Sequence, residues 1–465
     1  MIGLLALATA AAASPAVTAD CAGGLCNYSV LRPYFEKLTD ARSGGKPVHI
    51  LQIGDSHTAG DAITGAWRDA LQARYGSAGR GVMPPGKPFQ GYNPRGVSVD
   101  MSSGWTISSI FGPGARDPRG ALGLSGFSIT SNASGARIGL TASANQMFDR
   151  FVICAIAEPG AGALVINVAG RSERFELGAL IARPECREME FDQLQGAVSV
   201  ATEGGPVTIT SWATFRERGG VALSNLGVVG SQLVHFSRND DSVVAEELRS
   251  YKPDLIVIAF GTNEGFAPRV NPQEYEITLR TQIGRIRRLA GRVPILLLGA
   301  PDALTRRQEL LSNAPTATPA PCIEPVTLPP AGPATPPPEQ PSDSEDISDV
   351  LDALGQRSAP TQPRPAPAVP EAPRTGWAIT AKPLFPPAGL KAVREVQRKV
   401  AQQLRLGFWD WEARMGGRCT AVSWVKLQPT RMRGDYVHFN SAGGQDIANR
   451  LQADLDLAAG AASRW

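Results

Sequence analysis

Val48-His49-Ile50-Leu51-Gln52-Ile53-Gly54-Asp55-Ser56-His57 reads as a buried strand broken sharply at glycine and followed at once by three side chains capable of chemistry. A helix is expected next, because Ala62, Ile63, Ala66, Trp67, Ala70, Leu71 and Tyr75 recur at helical spacing until Gly76 offers a C-cap. The same alternation returns later in the chain. Asp254 to Phe260 and Val293 to Gly299 are apolar runs of strand length, and Leu279, Ile283, Ile286 and Leu289 mark an amphipathic helix between them. Leu390, Val393, Val396, Val400 and Leu404 mark another helix, and Ile447, Leu451 and Leu455 a last one. Apolar strands alternating with amphipathic helices predict an α/β fold with a parallel sheet covered on both faces.

Two stretches depart from that rhythm. From about 91 to 220, short β-branched-rich runs (Ala136 to Thr141, Phe151 to Ile156, Ala163 to Val168, Ala197 to Val200, Val207 to Trp212) are separated by turn residues with no helical period between them. They predict an inserted all-β sandwich over 91–220. From 313 to 376, TPAP, LPPAGPATPPPEQP and RPAPAVP flank a short acidic segment, which predicts an extended, mostly disordered insertion. A tolerated surface excursion explains it better than a ligand for a Pro-binding partner.

At 465 residues the chain exceeds one ordinary core, so two domains or one domain with large insertions are expected. The formal net charge of +3 is small for that length and gives no electrostatic reason to expect nucleic-acid binding. Residues 1–19 combine an apolar run with Val17-Thr18-Ala19 before Asp20, as an export signal does, although no positive charge precedes the run. No later apolar stretch is long enough to predict a transmembrane span. Six cysteines without a CxxC pair fit disulfides better than zinc or thiol redox chemistry. By their sequence segments the expected pairs are Cys21–Cys26, Cys154–Cys186 and Cys322–Cys419.

Three segments carry chemistry: Gly54-Asp55-Ser56-His57, Gly261-Thr262-Asn263-Glu264, and Asp435-Tyr436-Val437-His438. The first two follow predicted parallel strands and the third leads into the final helix. Loops beyond the carboxyl ends of an open α/β sheet gather in one crevice, so these distant segments can meet. A serine hydroxyl needs a base, and a histidine oriented by a carboxylate is the usual one. The chain has four histidines. His49 lies in a predicted strand, His57 adjoins the serine and His235 lies in an unrelated segment, which leaves His438, three residues after Asp435, as the best base.

There is no GxSxG elbow of the α/β-hydrolase kind. Instead Gly54 to His57 looks like block I of the SGNH (GDSL-like) hydrolases, Gly227-Val228-Val229-Gly230 resembles block II, Gly261 to Glu264 block III and Asp435 to His438 block V, in the family's order. The resemblance implies a flavodoxin-like three-layer α/β/α sandwich in three pieces, 28–90, 221–312 and 377–460. By motif position it implies Ser56 as nucleophile, His438 as base, Asp435 as its orienting carboxylate, and an oxyanion hole from the backbone N–H of Ser56, the backbone N–H of Gly230 and the Asn263 amide. Spacing alone does not separate Gly230 from Gly227. It implies no metal or organic cofactor. The GDSH form, the β insert and the late Phe408-Trp409-Asp410-Trp411 with Met415-Gly416-Gly417 are most similar to exported peptidoglycan O-acetylesterases, in which the insert resembles a carbohydrate-binding module.

That similarity makes an O-acetylated cell-envelope glycan the expected substrate, and the periplasm or cell envelope the expected location. A polysaccharide O-acetyltransferase using the same triad, a non-catalytic glycan-binding protein and a lipid esterase stay open. Around the motifs, His57 is expected to modulate the site or contact substrate, or to serve only the surface. Trp212 is read as core and Trp105 as a possible sugar platform. Trp409 and Trp411 are read as packing, and Arg80, Lys87 and Arg95 as a solvated basic loop.

Overall fold

The computed structural model describes residues 20–112, 115, 121–306, 320–323 and 383–462. The expected export segment 1–19 lies outside them, as does the Pro-rich stretch 313–376 apart from 320–323.

A seven-stranded sheet organises the α/β part. Its strands, in chain order, are β1 (Cys21–Ala22), β2 (Leu25–Cys26), β3 (Val48–Gly54), β4 (Val221–Gly227), β5 (Leu255–Ala259), β6 (Ile295–Leu298) and β7 (Gly407–Trp409). They lie side by side as β1-β2-β7-β6-β5-β3-β4. The five strands from β4 to β7 across that order are mutually parallel. The sheet as a whole is mixed, which corrects the expectation of a parallel one: the β1–β2 hairpin joins β7 antiparallel, Phe408 opposite Cys26 and Trp409 opposite Leu25. Strands of two residues leave no apolar run to read, and this hairpin is held by the Cys21–Cys26 disulfide. It covers the free edge of β7.

Every residue of β3, β4, β5 and β6 is buried, as strands sandwiched between two helical layers must be. Alternate residues serve alternate layers. Ile50, Val257, Leu296 and Leu298 pack with helices Arg32–Arg42, Ala62–Tyr75 and Ser441–Ala462. Leu51, Ile53, Ile256, Ile258 and Leu297 pack with helices Asp241–Tyr251, Pro272–Ala290 and Ala388–Leu404. Taken alone, the parallel strands run second, first, third, fourth, fifth in chain order. The chain therefore leaves β3 for β4 on one side, while β5 lies on the other. A doubly wound sheet opens its crevice at such a reversal, beyond the strands' carboxyl ends, and Ser56 follows directly from β3.

Between β3 and β4 the chain forms two antiparallel sheets. One orders Arg171–Glu176, Ala163–Val168, Ala197–Glu203, Arg137–Ala142 and Val97–Met101; the other orders Arg183–Gln195, Phe148–Ala157, Val207–Phe215, Phe127–Ser131 and Thr106–Ser109, with Gly81–Met83 added beside Val207–Phe215. Trp212 is fully buried in their shared core, as expected. The second sheet is keyed to the α/β part by Glu247 of helix Asp241–Tyr251. Its carboxyl accepts from Thr210, Ser211 and the Leu124 N–H. All three expected disulfides are formed, Cys154–Cys186 across directly paired strands and Cys322–Cys419 across 97 positions.

Arg80 is not solvated. It is 1% exposed, and its guanidinium donates to Asp61 at 3.2 Å and Asn225 at 2.7 Å. Arg68 donates to the same Asp61. A carboxylate 19 positions back and an amide 145 positions ahead supply partners that a local reading of charge cannot see.

Candidate active site

Backbone packing creates the turn that carries Ser56. A Cβ on Gly54 would lie 2.2 Å from Thr58 Oγ1 and 2.6 Å from the Ala259 carbonyl, so only glycine lets the four-residue helix Ser56–Ala59 fold back over the strand end. Asp55 caps that helix, accepting from the His57 N–H at 3.0 Å. Asn225 of β4 donates to the Thr58 carbonyl at 3.1 Å, and Gln52 of β3 donates to Thr58 Oγ1 at 3.0 Å. The serine thus sits on a short, fully supported turn.

Asp435 and His438 arrive from the other end of the chain on a hairpin-like loop. Met432 and Phe439 pair as an isolated bridge, and the Arg433 N–H donates to the His438 carbonyl at 2.8 Å. Asp435 fixes the turn by accepting from the N–H groups of Val437 and His438 at 2.8 and 2.9 Å. Its other oxygen lies 2.7 Å from His438 Nδ1, and His438 Nε2 lies 2.9 Å from Ser56 Oγ. With the proton on Nδ1, the imidazole donates to Asp435 and accepts from the serine hydroxyl. That is the arrangement a serine needs for activation. Burial alone would raise the Asp435 carboxyl. The hydrogen bond and charge of His438, with the two backbone donors, outweigh it and bring the carboxyl down to about 2. Asp435 is therefore ionised throughout the working pH range.

The glycine-rich loop after β4 lies against this turn. Gly227 pairs with Gly54 inside the sheet, and a Cβ there would lie 2.2 Å from the Ala59 N–H nitrogen, so Gly227 serves close approach. Gly230 stands beyond the strand, buried, at φ +76°. It is the third residue of a turn closed by the Ser231 N–H on the Val228 carbonyl at 3.1 Å, the place where a type II turn requires positive φ. Asn263, on the short helix after β5, donates from Nδ2 to the Ser231 carbonyl at 2.9 Å, and Gln232 donates back to the Asn263 carbonyl at 3.1 Å. Primary amides carry two N–H donors, so the Asn263 bond to Ser231 fixes the amide and leaves a second donor. The structure thus brings Ser56, Asp435 and His438 into contact and joins the Gly230 and Asn263 loops to each other.

His57 is buried and faces inward. Its Nδ1 lies 3.2 Å from Asp55 Oδ1 and its Nε2 3.0 Å from the Val437 carbonyl. Its ring packs against Trp411, Phe439 and His438 with centroids 5.4 to 5.6 Å apart. Since both ring nitrogens face acceptors, only the doubly protonated ring satisfies both. Burial opposes that charge, but the Asp55 hydrogen bond and charge, the Val437 carbonyl and the Asp435 charge together hold the His57 pKa above its ordinary value. A surface role is thereby excluded. Trp409 and Trp411 are buried with their rings tilted against each other, centroids 6.0 Å apart, as expected of packing residues.

Two groups escaped the sequence reading. Glu264, beside Asn263, is buried. One carboxyl oxygen accepts from the Leu233 N–H at 2.7 Å, and the other has no hydrogen-bond partner. Burial, aided by the charge of Asp55, pushes it up to about 7 against the backbone donors. Arg433 lines the pocket that opens on Ser56 and His438, together with Ile63 and Phe439. A lone arginine outside every motif gives no signal in the sequence. Among the described residues, no group of three His, Cys, Asp or Glu side chains is placed to hold a metal, and no helix is long and apolar enough to cross a membrane.

A model of the GDSL-like lipase/acylhydrolase family matches residues 199–445, just over half of the chain. That span includes Gly230, Asn263, Asp435 and His438 and begins well after Ser56, which reaches them only through the fold. Among solved structures, a peptidoglycan O-acetylesterase has a similar fold, with a TM-score of 0.65 at 22% identity over 94% of this chain and 100% of that one. An active-site mutant of a family two carbohydrate esterase from Clostridium thermocellum aligns with a TM-score of 0.27 at 12% identity, over 76% of this chain and 98% of that one, too slight a likeness to argue from. No curated protein sequence matches the chain.

Proposed function

Because the chain belongs to the GDSL-like lipase/acylhydrolase family and is an esterase, we propose that Ser56 is its nucleophile and that it removes O-acetyl groups from a cell-envelope glycan, peptidoglycan foremost. The unbroken Ser56–His438–Asp435 relay at 2.9 and 2.7 Å carries the reading. Ser56 Oγ attacks the acetyl carbonyl carbon as His438 Nε2 takes the hydroxyl proton. The tetrahedral oxyanion is held by the N–H groups of Ser56 and Gly230 and the free N–H of the Asn263 amide; one such donor contributes about 3 kcal/mol to lowering the barrier. Collapse breaks the bond to the sugar oxygen, and His438 returns the proton to that oxygen. Water, deprotonated by His438, then attacks the acetyl-serine; the bond to Ser56 Oγ breaks, His438 returns the proton to that oxygen, and acetate leaves.

The fold shared with a peptidoglycan O-acetylesterase supports the substrate. We assign residues 91–220 to an inserted sandwich that resembles a carbohydrate-binding module, and the protein to the periplasm or cell envelope. The pairing of all six cysteines in disulfides fits an oxidising compartment.

The test is acetate release from O-acetylated peptidoglycan, beside p-nitrophenyl acetate and butyrate, for wild type and a folded Ser56→Ala variant. Loss of both acetyl activities by about 10⁴-fold or more in the variant is expected. Cleavage of the small ester alone would keep the mechanism and discard the glycan.

A further inference from the structure

Resting on the esterase reading above, we propose that Arg433 is a specificity residue that binds a carboxylate on the substrate, so that the ester cleaved belongs to an acidic glycan. Arg433 lines the pocket at Ser56 and His438. Among the described residues its guanidinium has no hydrogen-bond or ion-pair partner, whereas its neighbours are committed: Arg431 donates to Asp446 at 2.5 Å, and Arg450 donates to the Arg414 carbonyl at 2.8 Å. The nearest acidic residue in sequence, Asp435, accepts from His438 Nδ1 and two backbone N–H groups and forms no ion pair with Arg433. The backbone of Arg433 is bonded to His438 itself, which fixes where the side chain starts relative to the reacting atoms.

A partly buried, unpaired guanidinium beside a nucleophile gives up hydration without an internal counter-charge. Its planar fork matches a carboxylate in two parallel hydrogen bonds, and a neutral sugar offers no equivalent partner. The remaining pocket surface fits this division of labour. Ile63 and Phe439 are apolar and suit an acetyl methyl; His57, which also lines the pocket, is bonded to Asp55 and the Val437 carbonyl, whereas the Arg433 guanidinium keeps its donors for the substrate.

The experiment compares kcat/KM for acetate release from soluble O-acetylated muropeptides bearing free carboxylates with the same fragments after amidation of those carboxylates. The wild type is expected to prefer the acid form by about tenfold or more, as one charge-assisted bond allows. Arg433→Gln should bring that ratio close to one, and Arg433→Lys should leave it in between. The ratio is taken within each protein, so a change in folded fraction cancels. A wild-type ratio near one, or an unchanged ratio in Arg433→Gln, overturns the proposal. Should neither glycan form be cleaved, the glycan reading fails, and the same ratio on 4-acetoxyphenylacetate and its amide decides Arg433 by itself: collapse in Arg433→Gln upholds carboxylate recognition, and equality refutes it.

Discussion

The loops Gly54–His57 and Asp435–His438 each carry one aspartate and one histidine, and their imidazole rings lie 5.4 Å apart, yet only His438 bonds the Ser56 hydroxyl. His438 has a serine hydroxyl at its far nitrogen and a side chain 15% exposed; His57 has a backbone carbonyl there and is 3% exposed. A histidine bonded to a hydroxyl can exchange a proton with it. A histidine closed between a carboxylate and a carbonyl can only hold them together. What distinguishes the proposed base from its brace is therefore the third partner, and the brace grips Val437, the residue directly before His438.

The comparison breaks most visibly at His438. His438→Gln should lower kcat for p-nitrophenyl acetate by about 10⁵-fold or more while the melting temperature changes little, because loss of the base removes activation of the serine outright. Retained activity in His438→Gln that then disappears in a His57→Ala background would show that the neighbouring ring can take over, and the assignment would be reversed.

His57→Ala should act through position and stability. Removing a buried ring that bonds Asp55 and Val437 costs on the order of 2 kcal/mol. A smaller kcat, roughly tenfold down with KM nearly constant, is expected as the His438 loop loosens. The pH dependence separates this role from simple packing. His57 has its folded pKa above the unfolded value, so its stabilisation is complete below the unfolded pKa and is lost as pH rises through the folded one. The groups that set that balance are Asp55, the Val437 carbonyl and the charge of Asp435, with His438 alongside and the uncharged rings of Trp411 and Phe439 closing the pocket. As pH rises above the ordinary histidine range, wild-type melting temperature should decline more steeply than that of His57→Ala. Parallel curves would mean that the ring is neutral in the folded protein.

How far the sequence disclosed this arrangement depended on whether a residue's role is set locally. Apolar runs exposed β3, β5 and β6, and helical spacing exposed Ala62–Tyr75 to the residue. β4 was hidden because its buried Ser224 and Asn225 interrupt the apolar run; they serve His49, Arg68 and Arg80 from distant segments. β7 has three residues and the β1–β2 hairpin four, too few for any period. The candidate site was legible as far as it is written in short motifs at strand ends and before the last helix. Gly227 and Gly230 could be told apart only by what a Cβ would strike and by φ, while Arg433, Glu264 and the inward turn of His57 depend wholly on tertiary surroundings.

Glu264 sharpens the comparison at its smallest scale, as a carboxyl whose burial meets no cation. Asp55 and Asp435 each face a histidine; Glu264 has only backbone donors, the Leu233 N–H foremost, and an orphan oxygen. Its unfolded value is near 4.5 and its folded value about 7, so between those pH values the unfolded chain has released a proton that the folded protein still holds. Unfolding then releases a proton, and stability falls as pH rises from about 4.5 to about 7 and levels off above. Glu264→Gln keeps an acceptor for the Leu233 N–H and carries no charge to desolvate. It should melt roughly 3 °C or more above wild type at pH 8 and close to it at pH 4.5. A variant less stable than wild type at pH 8 would mean that the ionised carboxylate is itself held by favourable contacts, and Glu264 would then belong with Asp435 rather than in contrast to it.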